Sequence, residues 1–195
     1  MSFSICLIGN SHVAAIKQAW TNRAPMVQPD GSVDFLSAGT HMLPALTLEG
    51  TLWRAATGPL REKLAYTSGG QEDIELYRYD AFVMMGSGFG LDIPKFTSGY
   101  DIASPVREPA GTLTSRASFA AMIASWFENS LAVRLIDTIR EVSDKPILMC
   151  AAPHMSERVL EDDETLRDQM RYRDPEFLDF VVSCAKAAGA DIAAR

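Results

Sequence analysis

Apolar residues along the chain follow two rhythms, each predicting a different kind of element. An apolar run at residues 3–8 ends at Gly9, the pattern of a strand buried on both faces of a parallel sheet. Val13, Ile16 and Trp20 then recur at helical spacing, so a first helix follows at once, with Ser11 as its N-cap and Pro25 beyond its end. A second strand is expected at 33–37, between the turn Pro29-Asp30-Gly31 and the segment Ala38-Gly39-Thr40-His41. A third covers 81–85 and runs into Gly86-Ser87-Gly88-Phe89-Gly90, and a fourth covers 146–151 and is followed by Pro153-His154.

The helical rhythm is strongest at 115–142, where Phe119, Met122, Ile123, Trp126 and Phe127 share one face and Leu131, Leu135, Ile139 and Val142 continue it; Glu128-Asn129-Ser130 is the place for a break. Asp174-Pro175 has the chemistry of an N-cap followed by Pro at N1, opening a last helix through Phe177, Val181 and Ala185 to Gly189. Residues 161–164 open a charged helix with a solvated face. Residues 92–113, with three prolines, form an irregular loop over the strand ends. Within 43–79 the pattern is weak, with short strands at Leu52-Trp53 and at Ile74, Leu76 and Tyr77, or a hairpin about Ser68-Gly69-Gly70.

Strand followed by helix, repeated with short connections, predicts one α/β domain: a doubly wound, mostly parallel sheet with helices on both faces, in three α/β/α layers. Such folds bind ligands beyond the carboxyl ends of their strands. Those ends would carry Gly9 to His12, Ala38 to His41, Gly86 to Gly90 and Ala152 to Ser156, and all three histidines of the chain, His12, His41 and His154, fall among them.

Charge narrows the choice of partner. The 195 residues carry a formal net charge of -7, with no basic run, which argues against a nucleic-acid surface. No apolar stretch approaches the ~20 residues of a membrane span. Cys6, Cys150 and Cys184 are odd in number and lack C-x-x-C spacing, so a disulfide framework or zinc knuckle is not expected and a reducing cytoplasm is the simplest location. The scattered histidines give no metal-ligand spacing, and no cofactor is expected.

Ser11 has two readings: a helix cap, or a nucleophile on a tight turn beside free backbone N–H groups that favour an oxyanion. Gly9-Asn10-Ser11-His12 after an N-terminal strand resembles the first block of the SGNH (GDSL-like) hydrolases, with asparagine where the family has aspartate. Gly39 stands where the family's second block has its oxyanion-hole glycine. The third block, Gly-x-Asn, is matched in placement by Gly86-Ser87-Gly88, with glycine in place of the asparagine, and there is no late Asp-x-x-His.

The resemblance implies a flavodoxin-like sheet and an esterase or deacetylase acting on a small-molecule or carbohydrate ester, without nucleic-acid or membrane partners. It makes Ser11 the nucleophile and the N–H groups of Ser11 and Gly39 the oxyanion donors. The base comes either from His154 or from a segment beyond Arg195 in a longer gene product. Asn10, His12, His41, Gly86, Ser87 and Gly88 are assigned to substrate or to the layer behind the catalytic groups. Two other readings stand beside it. One is a binding module of the same fold that has lost its base. The other is a methyltransferase whose 86–90 loop, similar to the Gly-x-Gly-x-Gly of class I enzymes, would receive S-adenosylmethionine.

Overall fold

The computed structural model describes residues 3–22, 31–87, 97, 99–109, 111–151 and 174–193. In chain order its elements are β1 (Phe3–Gly9), α1 (Ser11–Thr21), β2 (Gly31–Ser37), a 3-10 turn at Leu43–Ala45, β3 (Leu46–Glu49), β4 (Leu52–Ala55), α2 (Gly58–Ser68), β5 (Ile74–Glu75), a second 3-10 turn at Leu76–Arg78, and β6 (Ala81–Met85). There follow β7 (Tyr100–Asp101), β8 (Thr112–Leu113), α3 (Arg116–Glu128), α4 (Leu131–Arg140), β9 (Ile147–Cys150) and α5 (Pro175–Ala193). The chain forms two compact units, Met1–Ser87 with Arg134–Ala151, and Gly88–Val133 with Ala152–Arg195. No described helix is long and apolar enough to cross a membrane.

The first unit is α/β, built on a four-stranded parallel sheet in the order β2-β1-β6-β9. Register sets Gly9 opposite Ser37 and Met85, and Met85 opposite Cys150, so the strands finish in one row. Side chains alternate across a strand. On one face Leu7 and Phe35 bury with Val13 of α1, against which Ile16, Trp20, Val33, Val83 and Met85 also pack. On the other face Cys6, Ile8, Leu36, Phe82 and Met84 are buried as well. Burial on both sides is why these strands read as apolar runs rather than alternating ones.

Two local expectations are corrected. Asn10, not Ser11, is the N-cap of α1: its extended backbone precedes the helix, and its Oδ1 accepts from His12 N–H at 3.2 Å. The hairpin of the 43–79 region turns at Gly50-Thr51, joining β3 to β4, with β5 pairing antiparallel to β4. Ser68-Gly69-Gly70 instead ends α2, where Gly69, at φ +87°, takes the left-handed C-cap conformation that glycine adopts without strain.

In the second unit α3 packs on α5, with the Phe119 ring 5.7 Å from Phe177 and 6.0 Å from Phe180. The break between α3 and α4 falls at Asn129-Ser130, as the sequence predicts. Asp174 caps α5 as expected, its Oδ1 accepting from the N–H groups of Glu176 and Phe177 at 3.0 and 3.4 Å. Most of the described part of 92–113 is irregular, and the short parallel pair β7/β8 lies within it. Arg107 holds β7: its guanidinium binds buried Asp101 through two bonds, lies 3.3 Å from Asp174, and stacks 5.1 Å from the Phe177 ring centre. The charged helix expected at 161–164 lies outside the described residues.

Candidate functional site

The order of the sheet reverses at β1: the chain passes from β1 to β2 on one side and then to β6 on the other. In parallel α/β sheets the crevice at such a reversal, beyond the strand ends, is where ligands bind. Two turns meet there. One leaves β1 through Gly9 and Asn10, and the other leaves β6 through Gly86 and Ser87.

Close backbone approach explains Gly9. A Cβ at that position would stand 2.1 Å from the Met85 carbonyl oxygen, so β1 and β6 finish this close only with glycine. Asn10 follows and touches the ends of both neighbouring strands. Its carbonyl accepts the Ser37 hydroxyl at the end of β2 at 2.8 Å, and its side-chain amide lies over the α-carbon of Gly86. Gly86, at φ +67°, and Ser87, at φ +57°, form a left-handed turn; Ser87 is fully buried, its hydroxyl 3.5 Å from the Met85 carbonyl.

Ser11 is then the first residue of α1, exposed at the crevice, with a hydroxyl that takes no part in the cap. The first N–H groups of a helix lack intrahelical partners. Here His12 N–H is satisfied by Asn10 Oδ1 and Val13 N–H by the Asn10 carbonyl at 3.0 Å. The N–H of Ser11 has no partner among the described residues, at the positive end of the helix dipole.

Gly39 sits just past β2, where Ala38 N–H bonds the Gly9 carbonyl at 3.1 Å and holds the two turns side by side. Its carbonyl accepts from Met42 and Leu43 N–H at 2.8 and 3.3 Å, which folds the segment back on itself. The exposed His41 imidazole consequently lies on Gly39, where a Cβ would be 2.7 Å from Cε1. His12 is half-buried on the first turn of α1.

Of the expected site residues, Asn10, Ser11 and His12 are therefore joined to Gly86 by the Asn10 side chain, and to Gly39 and His41 through the Ala38–Gly9 bond. His154 and Gly88 lie outside the described residues, as does the rest of the 88–90 loop. Sequence reasoning missed Ser37 and Thr67. Thr67 Oγ1, on α2, accepts Ser37 N–H at 2.9 Å and bonds the Lys63 carbonyl at 3.0 Å, anchoring the end of β2. Both are buried polar residues facing backbone, a role that no apolar period reveals.

Cysteine offers no rival nucleophile. Burial, with Asp34 nearby, pushes the Cys6 thiol far above its ordinary range, and burial raises Cys150 and Cys184 too. None is then a thiolate near neutrality, the reactive form. Among the described residues no group of three or more His, Cys, Asp or Glu side chains is placed to hold a metal ion.

Comparison of the chain with protein-family models, curated proteins and solved structures gave no match.

Proposed function

We propose that the chain is an SGNH-like serine hydrolase, an esterase or deacetylase, with Ser11 as nucleophile. One observation carries this reading: Asn10 takes over the helix cap, which leaves Ser11 exposed at the N-terminus of α1, with its hydroxyl unengaged by the cap and its own N–H unpartnered among the described residues. The strand order also supports it. Taking β6 and β9 as third and fourth strands, the order β2-β1-β6-β9 agrees with the first four places of the 2-1-3-4-5 order that flavodoxin-like sheets use.

In this mechanism Ser11 Oγ attacks the ester carbonyl while its proton passes to a histidine. The base is His154, which follows β9 in the sequence, or a histidine beyond Arg195 in a longer gene product. The tetrahedral oxyanion is held by the N–H groups of Ser11 and Gly39. Collapse breaks the bond to the leaving alcohol, which takes the proton from the histidine, and water attacking the acyl-serine returns the enzyme. His41, exposed beside Gly39, lines the entrance for the acyl or alcohol group.

A fluorophosphonate probe tests the assignment directly. Mass spectrometry of the treated protein should find the adduct on the peptide containing Ser11, and Ser11→Ala should remove it together with hydrolysis of p-nitrophenyl acetate while the circular dichroism spectrum is unchanged. An unlabelled wild-type protein, or hydrolysis that survives Ser11→Ala, overturns the reading. If His154 is that base, His154→Ala should lower kcat by at least ~10²-fold, in keeping with loss of a general base.

A further inference from the structure

We infer that the amide nitrogen of Asn10 is a third donor to the oxyanion, a role that rests on Ser11 being the nucleophile as proposed above. The cap bond determines which end of the amide faces where. An N–H must be met by an oxygen, so the atom 3.2 Å from His12 N is Oδ1, which leaves Nδ2 outside the cap bond. Both ends of the amide pack on residue 86, Nδ2 2.7 Å and Oδ1 2.9 Å from where its Cβ would be, a space that exists only because that residue is glycine. The two N–H bonds of Nδ2 have no acceptor among the described residues.

The neighbouring residue on the same turn carries the attacking hydroxyl. A carbonyl approaching Ser11 Oγ comes to the end of β1, where the Ser11 N–H meets the positive end of α1, and Asn10 is the adjoining residue. As the carbonyl becomes tetrahedral its oxygen gains negative charge, and a fixed amide donor beside it binds that state more strongly than the ground state. Gly88 brings no side-chain donor from the β6 turn, and Asn10 provides one from the adjacent turn without leaving its post as cap.

The two functions of Asn10 are chemically separable. Aspartate and serine cap helices about as well as asparagine. Neither retains the donor: aspartate replaces it with a negative charge, and serine removes it. Asn10→Asp and Asn10→Ser should therefore melt close to the wild type yet acylate more slowly, by about 10²–10³-fold for loss of one oxyanion donor. Acylation is read as the rate of Ser11 labelling by the fluorophosphonate and as kcat on p-nitrophenyl acetate, with KM little changed.

A residue acting only as a cap would give wild-type rates in both variants, and that result overturns the inference. Should Asn10→Asp fail to fold, Asn10→Ser alone carries the test. A wild-type protein that is never labelled at Ser11 removes the hydrolase reading and this role with it. Normal labelling of the wild type and both variants removes only the role of Asn10.

Discussion

Asparagine and serine are near-equal helix caps, so adjacent Asn10 and Ser11 offer two starts for α1 one residue apart. The choice is settled by groups distant in sequence: the Ser37 hydroxyl on the Asn10 carbonyl, and Gly86 beneath the Asn10 amide. That is why periodicity located the helix while misplacing its cap. The residue types at the crevice were visible in sequence because glycine, serine and histidine are conspicuous after apolar runs, whereas the contacts that order them were not. Gly86 gives the sharpest residue-scale prediction. Gly86→Ala meets both a left-handed backbone and the Asn10 amide at 2.7 Å, and it should lower unfolding free energy by about 1–3 kcal/mol in urea titration. It should also slow labelling of Ser11. An alanine variant with unchanged midpoint and labelling rate would mean that Asn10 has another seat.

Elements with dense apolar faces were legible, and those held by polar groups were not. β1, β2 and β6 announce themselves because both faces of the sheet are covered there, β9 by its apolar run even though Leu148 is exposed, and α3 and α4 because Phe119, Ile123 and Phe127, then Leu135 and Ile139, bury at helical spacing. α2 buries only Leu60, Leu64 and Thr67, too few to stand out, and its glycine C-cap resembles a hairpin turn. Its place on the sheet depends on the Thr67 hydroxyl. Thr67→Val keeps the shape but leaves Ser37 N–H buried without its acceptor, which should cost about 1–3 kcal/mol in chemical denaturation, while Thr67→Ser should cost less.

α5 carries a pH dependence in its cap. Burial alone would raise the Asp174 carboxyl, but the Ser104 hydroxyl, the N–H groups of Phe177 and Glu176, and Arg107 outweigh it and hold the group below its ordinary value. A depressed carboxyl contributes stability above its unfolded pKa of about 3.9 and loses it as pH falls through the folded value. Protection of the amides at the start of α5, taken relative to their intrinsic exchange rates at each pH, should therefore fall in acid. In Asp174→Asn, which caps without titrating, that fall should be reduced.

At the scale of the molecule, composition bears on which substrates arrive. A net charge of -7 lowers the local concentration of anions around the protein, and salt screens that effect. Neutral acetyl esters should thus acylate Ser11 faster than esters with an anionic acyl group, by a margin that shrinks as ionic strength rises from about 10 to 500 mM. A margin indifferent to salt would place the discrimination in local contacts. The alignment of Gly9, Ser37, Met85 and Cys150 in one row has a consequence for assembly. Slipping β2 or β6 by one residue displaces Ser37 or Gly86 by roughly 3.3 Å and reverses which face each side chain meets. Asn10 would then lose a support on one side, and Ser11 its setting. On the proposed role of Ser11, the crevice would act as a gauge of strand register: misaligned chains, even compact ones, would be silent to a serine-directed probe, and the labelled fraction of a refolded preparation would count the correctly threaded molecules.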